Sequence, residues 1–107
     1  MEFNLSALEE QFALQIRADK LPEPEREVCL IPGRKFRCDF VWREQRVVFE
    51  VNGGTWVKSG HSSGAGIERD YEKCALLQLE GYKVFSVSGR SVKDGTAIKW
   101  LKLALGV

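Results

Sequence analysis

Two strand-like runs that lie close together constrain the fold more than any other feature of the chain. We predict strands over residues 36–42 and 46–52, joined by the polar Arg43-Glu44-Gln45, which is short enough for a tight connection. Asp39 and Glu50 lie within these runs, at positions that can face the same side of a sheet. Two carboxylates on rigid adjacent strands are a natural cradle for a hard divalent cation.

Glu50 is the more informative of the two acids because apolar residues flank it on both sides. The run Val47-Val48-Phe49-Glu50-Val51 is typical of a strand buried on both faces, where a lone carboxylate is costly unless it is paired or metal-bound. The alternative is that Asp39 and Glu50 are both solvent-facing, as charges in a meander commonly are. The local pattern favours the functional interpretation.

Length and composition indicate one globular domain over residues 1–107, with 44% hydrophobic and 29% charged residues. No apolar run approaches membrane-span length, and the first residues lack the form of a secretory signal. The three cysteines, Cys29, Cys38 and Cys74, are widely spaced within apolar patterns, which favours buried thiols in a reduced cytoplasmic context over a disulfide or a cysteine-only metal site.

The net charge of +1 gives no bulk signal for nucleic acid. Any DNA contact must come from local basic clusters, and from charge alone a solvated face is the stronger interpretation of each. The two clusters are Arg34, Lys35 and Arg37, and Lys93, Lys99 and Lys102.

The order of predicted elements is α-β-β-β-α-β-α, which implies an α/β fold with a mixed sheet and helices covering its faces. Ser6 and Glu9 have capping-box spacing at the start of the first helix. Besides the two strands above, the predicted elements are helices over about 6–18 and 67–80, strands over 28–31 and 82–88, and a last helix opened by Asp94-Gly-Thr96.

Two helical positions add candidates. Glu9 lies roughly 55° from the centre of the first helix's apolar stripe and Glu10 roughly 155° away, so Glu9 can look along the core edge while Glu10 faces water. The capping box is an equally good explanation of Glu9. On the second helix Asp70 and Lys73 share a face beside a predicted stripe, and a surface ion pair is the simpler explanation of their spacing. That stripe consists of Ile67, Tyr71, Cys74 and Gln78.

A glycine-rich segment over residues 53–66 contains five glycines and His61, the chain's single histidine. Long irregular segments in small domains are usually either functional or disordered. His61 is open to three interpretations: a general acid or base, a phosphate donor, or a spectator. Trp56 is either a core residue, which is commoner, or a wedge against a base. The segment lacks the Gly-Lys-Ser/Thr of a phosphate-binding P-loop.

Taken in order, these residues resemble the PD-(D/E)XK nuclease superfamily, with its restriction-endonuclease-like α-β-β-β-α-β core. The blocks are most similar to those of small phage-type and very short patch repair-like endonucleases. In this chain they are Arg37-Cys-Asp39-Phe, Glu50-Val-Asn52-Gly53-Gly54-Thr-Trp56, His61, Asp70-Tyr-Glu-Lys73 and Gly81-Tyr-Lys-Val84. One departure is that Asn52 replaces the motif lysine. The superfamily can move that charge to the following helix, where Lys73 is the candidate.

The resemblance implies an Mg²⁺- or Mn²⁺-dependent DNA endonuclease of an intracellular, bacterial or phage-infected context, with branched or repair substrates among its candidates. Asp39, Glu50 and the Val51 carbonyl would hold the metal, with Glu9 closing the outer side. Lys73 and His61 would assist the chemistry. DNA contacts would come from Lys35, Arg37, Asn52, Gly53, Gly54, His61 and Asp70.

Two rival functions remain open. A homodimer that presents two sites to a duplex is also compatible with a domain this small. The replacement at Asn52 motivates a catalytically degraded nucleic-acid-binding module on the same fold. The near-zero net charge motivates a protein-interaction domain that binds no nucleic acid.

Overall fold

The structure, a computed structural model, describes residues 5–52 and 64–107. The elements in chain order are α1 (Leu5–Ala18), β1 (Glu25–Cys29), β2 (Arg37–Trp42), β3 (Val47–Val51), α2 (Gly64–Leu79), β4 (Lys83–Val87), α3 (Gly89–Lys93) and α4 (Thr96–Leu105). The predicted order is confirmed, apart from the short helix α3, which the sequence pattern did not indicate.

The four strands form one mixed sheet in the order β1-β2-β3-β4. The first three strands pair antiparallel, and β4 pairs parallel with β3 after the crossover through α2. The tight connection between β2 and β3 is present, because the Arg46 N–H donates to the Arg43 carbonyl at 3.3 Å. The predicted α/β fold with a mixed central sheet, flanking helices and a C-terminal helix is therefore confirmed.

Apolar clusters cover both faces of the sheet. On one face Phe12 of α1 packs edge-on against Phe40, with ring centroids 5.2 Å apart, and Leu101 of α4 joins the same cluster. On the other face Leu77 of α2 packs with Val48. The apolar residues of β3 are all buried, as predicted for a strand covered on both sides, so Glu50 is the one charged residue of that strand.

The predicted first strand is displaced. β1 covers Glu25–Cys29, not residues 28–31, because Glu25 pairs with Val41 and Cys29 with Arg37 along the edge of the sheet. Strand pairing recruits polar residues that no apolar alternation marks. As a result Cys29 is exposed, contrary to the prediction of three buried thiols, whereas Cys38 is buried and Cys74 half-buried.

The inward face of α2 also differs from the predicted stripe. Tyr71 and Ile67 are exposed, while Leu77 is fully buried and Lys73 is half-buried on the inner side. Hydropathy places a lysine outside, and here the lysine faces inward because its charge has partners on the sheet.

One helix start needs correction and another is confirmed. α1 begins at Leu5, so Ser6 lies within its first turn and not at the N-cap that a capping box requires. Asp94-Gly-Thr96 opens α4 as predicted, with Gly95 as the N-cap and Asp94 accepting a hydrogen bond from the Thr96 N–H at 2.9 Å. Over residues 5–52 and 64–107, no helix is long and apolar enough to cross a membrane.

Candidate active site

The carboxylates of Asp39 and Glu50 are joined to each other's strands by crossed hydrogen bonds. The Val51 N–H donates to Asp39 Oδ2 at 2.9 Å, and the Asp39 N–H donates to Glu50 Oε2 at 3.1 Å. In the antiparallel register that pairs Phe40 with Phe49, the neighbouring residues Asp39 and Glu50 also lie opposite each other. Each carboxylate thus takes up a backbone donor at the end of the strand pair, and both side chains are fixed in place.

Lys73 reaches the acid pair from α2. Its ammonium forms an ion pair with Glu50 Oε1 and donates to the Arg37 carbonyl at 2.6 Å. Both side chains of the pair are only 15% exposed. The simpler expectation, a surface ion pair between Lys73 and Asp70, is not what the structure shows.

The pKa of Glu50 is raised, first of all by burial. Its bond to Lys73 acts in the opposite direction and lowers the pKa, while the nearby charge of Asp39 raises it. Glu50 is therefore a carboxylate that needs its cation, since burial disfavours the charged form.

Glu9 lies on the core edge of α1, as the helical angle predicts, and its pKa is raised by burial and then by the charge of Asp39. The charge of Asp39 thus acts on Glu9 of α1. Glu10 is exposed and forms an ion pair with Arg26 at 3.0 Å.

Arg26 is a neighbour of the acids that the sequence did not single out. Its guanidinium lies 3.8 Å from the Glu9 carboxylate and 4.5 Å from the centre of the Phe40 ring. It lies in the part of β1 that precedes the strand predicted over residues 28–31, so no pattern marked it. Its position partly offsets the negative charge on the α1 side of the site.

A cleft of about 100 Å³ opens beside the acid pair between α2 and the sheet. Glu50, Lys73, Asn52 and Asp70 all contribute to its wall. The structure thus brings together four of the predicted site residues. A volume of about 100 Å³ is large enough for a small ion with water, since one water needs about 10–15 Å³ measured in this way.

The remaining predicted residues divide into two groups. Lys35 and Arg37 are exposed beside the site, and Arg37 forms an ion pair with Glu27 at 3.5 Å. Gly53, Gly54, Trp56 and His61 lie outside the described residues.

The donor chemistry of the acid pair fits a hard cation. No group of three or more histidine, cysteine, aspartate or glutamate side chains in the described ranges is arranged to hold a metal ion. Mg²⁺, however, is typically bound by one or two carboxylates and completes its shell with waters and substrate phosphate. Two fixed carboxylates beside a small polar cleft therefore meet the requirement.

Comparison with known structures identifies a similar fold. The chain is similar to a structure titled "Homing Endonuclease I-Bth0305I Catalytic Domain", with a TM-score of 0.68 and 15% sequence identity over 92% of this chain and 91% of that one. At this identity the similarity shows a shared fold. No family model matches the chain, and no curated protein gives a significant match.

Proposed function

We propose that this protein is a divalent-metal-dependent endonuclease of the PD-(D/E)XK type that hydrolyses phosphodiester bonds in DNA. The observation that carries the proposal is the convergence of Asp39, Glu50 and Lys73 from two strands and a helix, beside a polar cleft that Glu50 and Lys73 line. A fold shared with an endonuclease catalytic domain supports it.

Asp39, Glu50 and the Val51 carbonyl would hold the ion, with Glu9 next to them. A bound Mg²⁺ or Mn²⁺ supplies Lewis acidity at a phosphate oxygen and makes its water more acidic. The crossed hydrogen bonds to the backbone hold the two carboxylates in position before any ligand arrives. Binding would therefore cost little side-chain conformational entropy.

Lys73 would provide the cation that Asn52 cannot. Held between Glu50 and the Arg37 carbonyl, its ammonium is placed beside the cleft with little freedom. A fixed positive charge in a half-buried site stabilises negative charge that develops on the attacking or leaving oxygen. His61 would protonate the leaving oxygen or bind the neighbouring phosphate. Gly53 and Gly54 would allow close approach of the backbone to the nucleic acid.

The test is a cleavage assay on linear, nicked and branched DNAs with Mg²⁺, Mn²⁺ or EDTA. Asp39→Asn and Glu50→Gln should each abolish cleavage and weaken Mn²⁺ binding measured by calorimetry, while circular dichroism shows a retained fold. Glu44→Gln, an exposed acid in the turn at the far end of the strand pair, is the matched control and should behave as wild type. Cleavage that persists in both site variants would overturn the proposal.

A catalytically degraded DNA-binding module is the second candidate. It is favoured by the ion pair itself, because Lys73 occupies a Glu50 oxygen that a metal would otherwise use. This candidate predicts DNA binding without cleavage in either metal.

Moving the lysine from position 73 to position 52 distinguishes the two candidate functions. Lys73→Met should abolish cleavage, and the double variant N52K/K73M should recover part of it, because position 52 lines the same cleft. Cleavage by wild type that is unaffected by Lys73→Met would remove Lys73 from the mechanism. An absence of cleavage by wild type on every substrate would favour the binding module.

A further inference from the structure

A second recess, separate from the acid pair, lies at the junction of α2 and the segment that leads into β2. It has a volume of about 290 Å³ and is lined by Arg34, Lys35, Phe36 and Arg69. Three of its four lining residues are therefore cationic, in a chain whose net charge is only +1.

One of these cations, Arg34, is held in place by two neighbours. The Arg34 guanidinium makes a two-pronged ion pair with Glu72 of α2, one of its bonds being 2.7 Å, and lies 4.4 Å from the centre of the Phe36 ring. Such a paired and stacked geometry fixes a guanidinium and ties the loop to the helix. The charge of Arg34 is thereby offset.

The other two cations have no such partner. Lys35 and Arg69 are both exposed, and within residues 5–52 and 64–107 neither takes part in an ion pair. Two uncompensated positive charges at one opening create a local positive potential that attracts an anion. An anion bound between them would also relieve their mutual repulsion.

The recess is linked to the acid pair in two ways. Arg69 precedes Lys73 by four residues, so the two lie on one side of α2, about 6 Å apart along its axis. Phe36 leads directly into Arg37, whose carbonyl accepts the hydrogen bond from Lys73. A DNA strand rises about 3.4 Å per nucleotide, so about 6 Å corresponds to roughly two nucleotides.

We propose that this recess binds a backbone phosphate of duplex DNA, one or two nucleotides from the bond held at Asp39 and Glu50. Lys35 and Arg69 would contact the phosphate, and Arg34 would hold the recess open. This inference rests on the proposed function and adds to it the direction in which the DNA lies, across α2 and not across α4.

The experiment is the salt dependence of DNA binding by the full chain. Fluorescence anisotropy of a labelled duplex is measured in EDTA, which prevents cleavage, between 50 and 200 mM salt. K35Q/R69Q should lower the slope of log affinity against log salt by about 0.9, as expected for one lost phosphate contact, and weaken binding about tenfold near 100 mM.

The matched control is K93Q/K99Q, which removes the same charge from exposed positions on α3 and α4, on the other side of the sheet. It should leave the slope close to that of wild type. Equal slopes for wild type and K35Q/R69Q, or an equal loss in both double variants, would overturn the recess as a phosphate site.

These outcomes are distinct from failure of the nuclease proposal. If wild type cleaves DNA and K35Q/R69Q binds with an unchanged slope, the recess is wrong and the nuclease stands. If wild type neither cleaves DNA with Mg²⁺ or Mn²⁺ nor shows salt-dependent DNA binding, both proposals are overturned.

Discussion

The ion pair between Lys73 and Glu50 allows a quantitative test of the site without any assumption about substrate. Lys73→Met keeps most of the aliphatic stem and removes the ammonium. Glu50 then stays in a place where its side chain is 15% exposed, with the Asp39 N–H as its remaining donor. The pKa of Glu50, already raised by burial, should rise further without its cation.

The expected cost at pH 7 is about 3 kcal/mol of unfolding free energy. Removing one partner of a buried ion pair typically costs about 3–5 kcal/mol, and the residual exposure and hydrogen bond place this case at the lower end. With about 4 °C per kcal/mol for a chain of this size, Tm should fall by roughly 12 °C. A domain with ordinary stability would still fold.

The cost should depend on pH. A carboxylate whose folded pKa is raised favours folding most below its unfolded pKa, and that contribution is lost as pH rises through the folded pKa. Lys73→Met enlarges this loss, so its deficit should be greatest at neutral pH and smaller near pH 4, where Glu50 is largely protonated with or without lysine.

Urea denaturation of wild type, Lys73→Met, Glu50→Gln and the double variant K73M/E50Q completes the test as a double-mutant cycle. Lys83→Met, at an exposed position of β4, is the control for loss of a lysine. An equal cost of Lys73→Met in the E50Q background and in wild type would contradict the ion pair, since the coupling energy between the two side chains would then be zero.

Three further predictions concern the core, a turn and the acid on α1. Phe12→Ala should lower the unfolding free energy by about 4 kcal/mol in urea, because this fully buried ring packs against Phe40 and its loss leaves a cavity; a cost below 1 kcal/mol would contradict the packing. Gly81→Ala should cost about 1 kcal/mol because φ there is 90°, although a methyl group would meet no atom, and Gly81→Asn should cost less. Glu9→Gln should stabilise the fold at pH 7 and not at pH 4, since the raised pKa of Glu9 makes its charged form unfavourable; equal unfolding free energies at pH 7 would contradict this.

The strand pair at the centre of the fold could be predicted from sequence because two local signals agree there. The apolar run with a single internal carboxylate predicted that β3 is buried on both faces of the sheet. The short polar connection predicted that β2 is its neighbour. Together they predicted that the two strands are neighbours and that Asp39 and Glu50 can face the same side of the sheet, whereas the register that sets the two acids opposite each other is seen in the structure.

The features that could not be predicted depend on partners distant in sequence. β1 is a strand because its backbone pairs with β2, and its own side chains show no apolar alternation. Arg26 reaches Glu9 only through that pairing. The inward face of α2 was misassigned for a related reason, because hydropathy cannot show that Glu50 and a carbonyl will receive the charge of Lys73.

In the mechanism that we propose, Lys73 keeps a positive charge at the site although Asn52 stands where the motif has a lysine. A lysine two residues after Glu50 would be positioned by β3 alone. Lys73 reaches Glu50 only because α2 packs at a suitable height over β3. Leu77, one turn further along α2 and fully buried against Val48, supplies that packing. The catalytic charge that we propose therefore depends on the core beneath α2, and variants that loosen this contact should weaken cleavage before they unfold the protein.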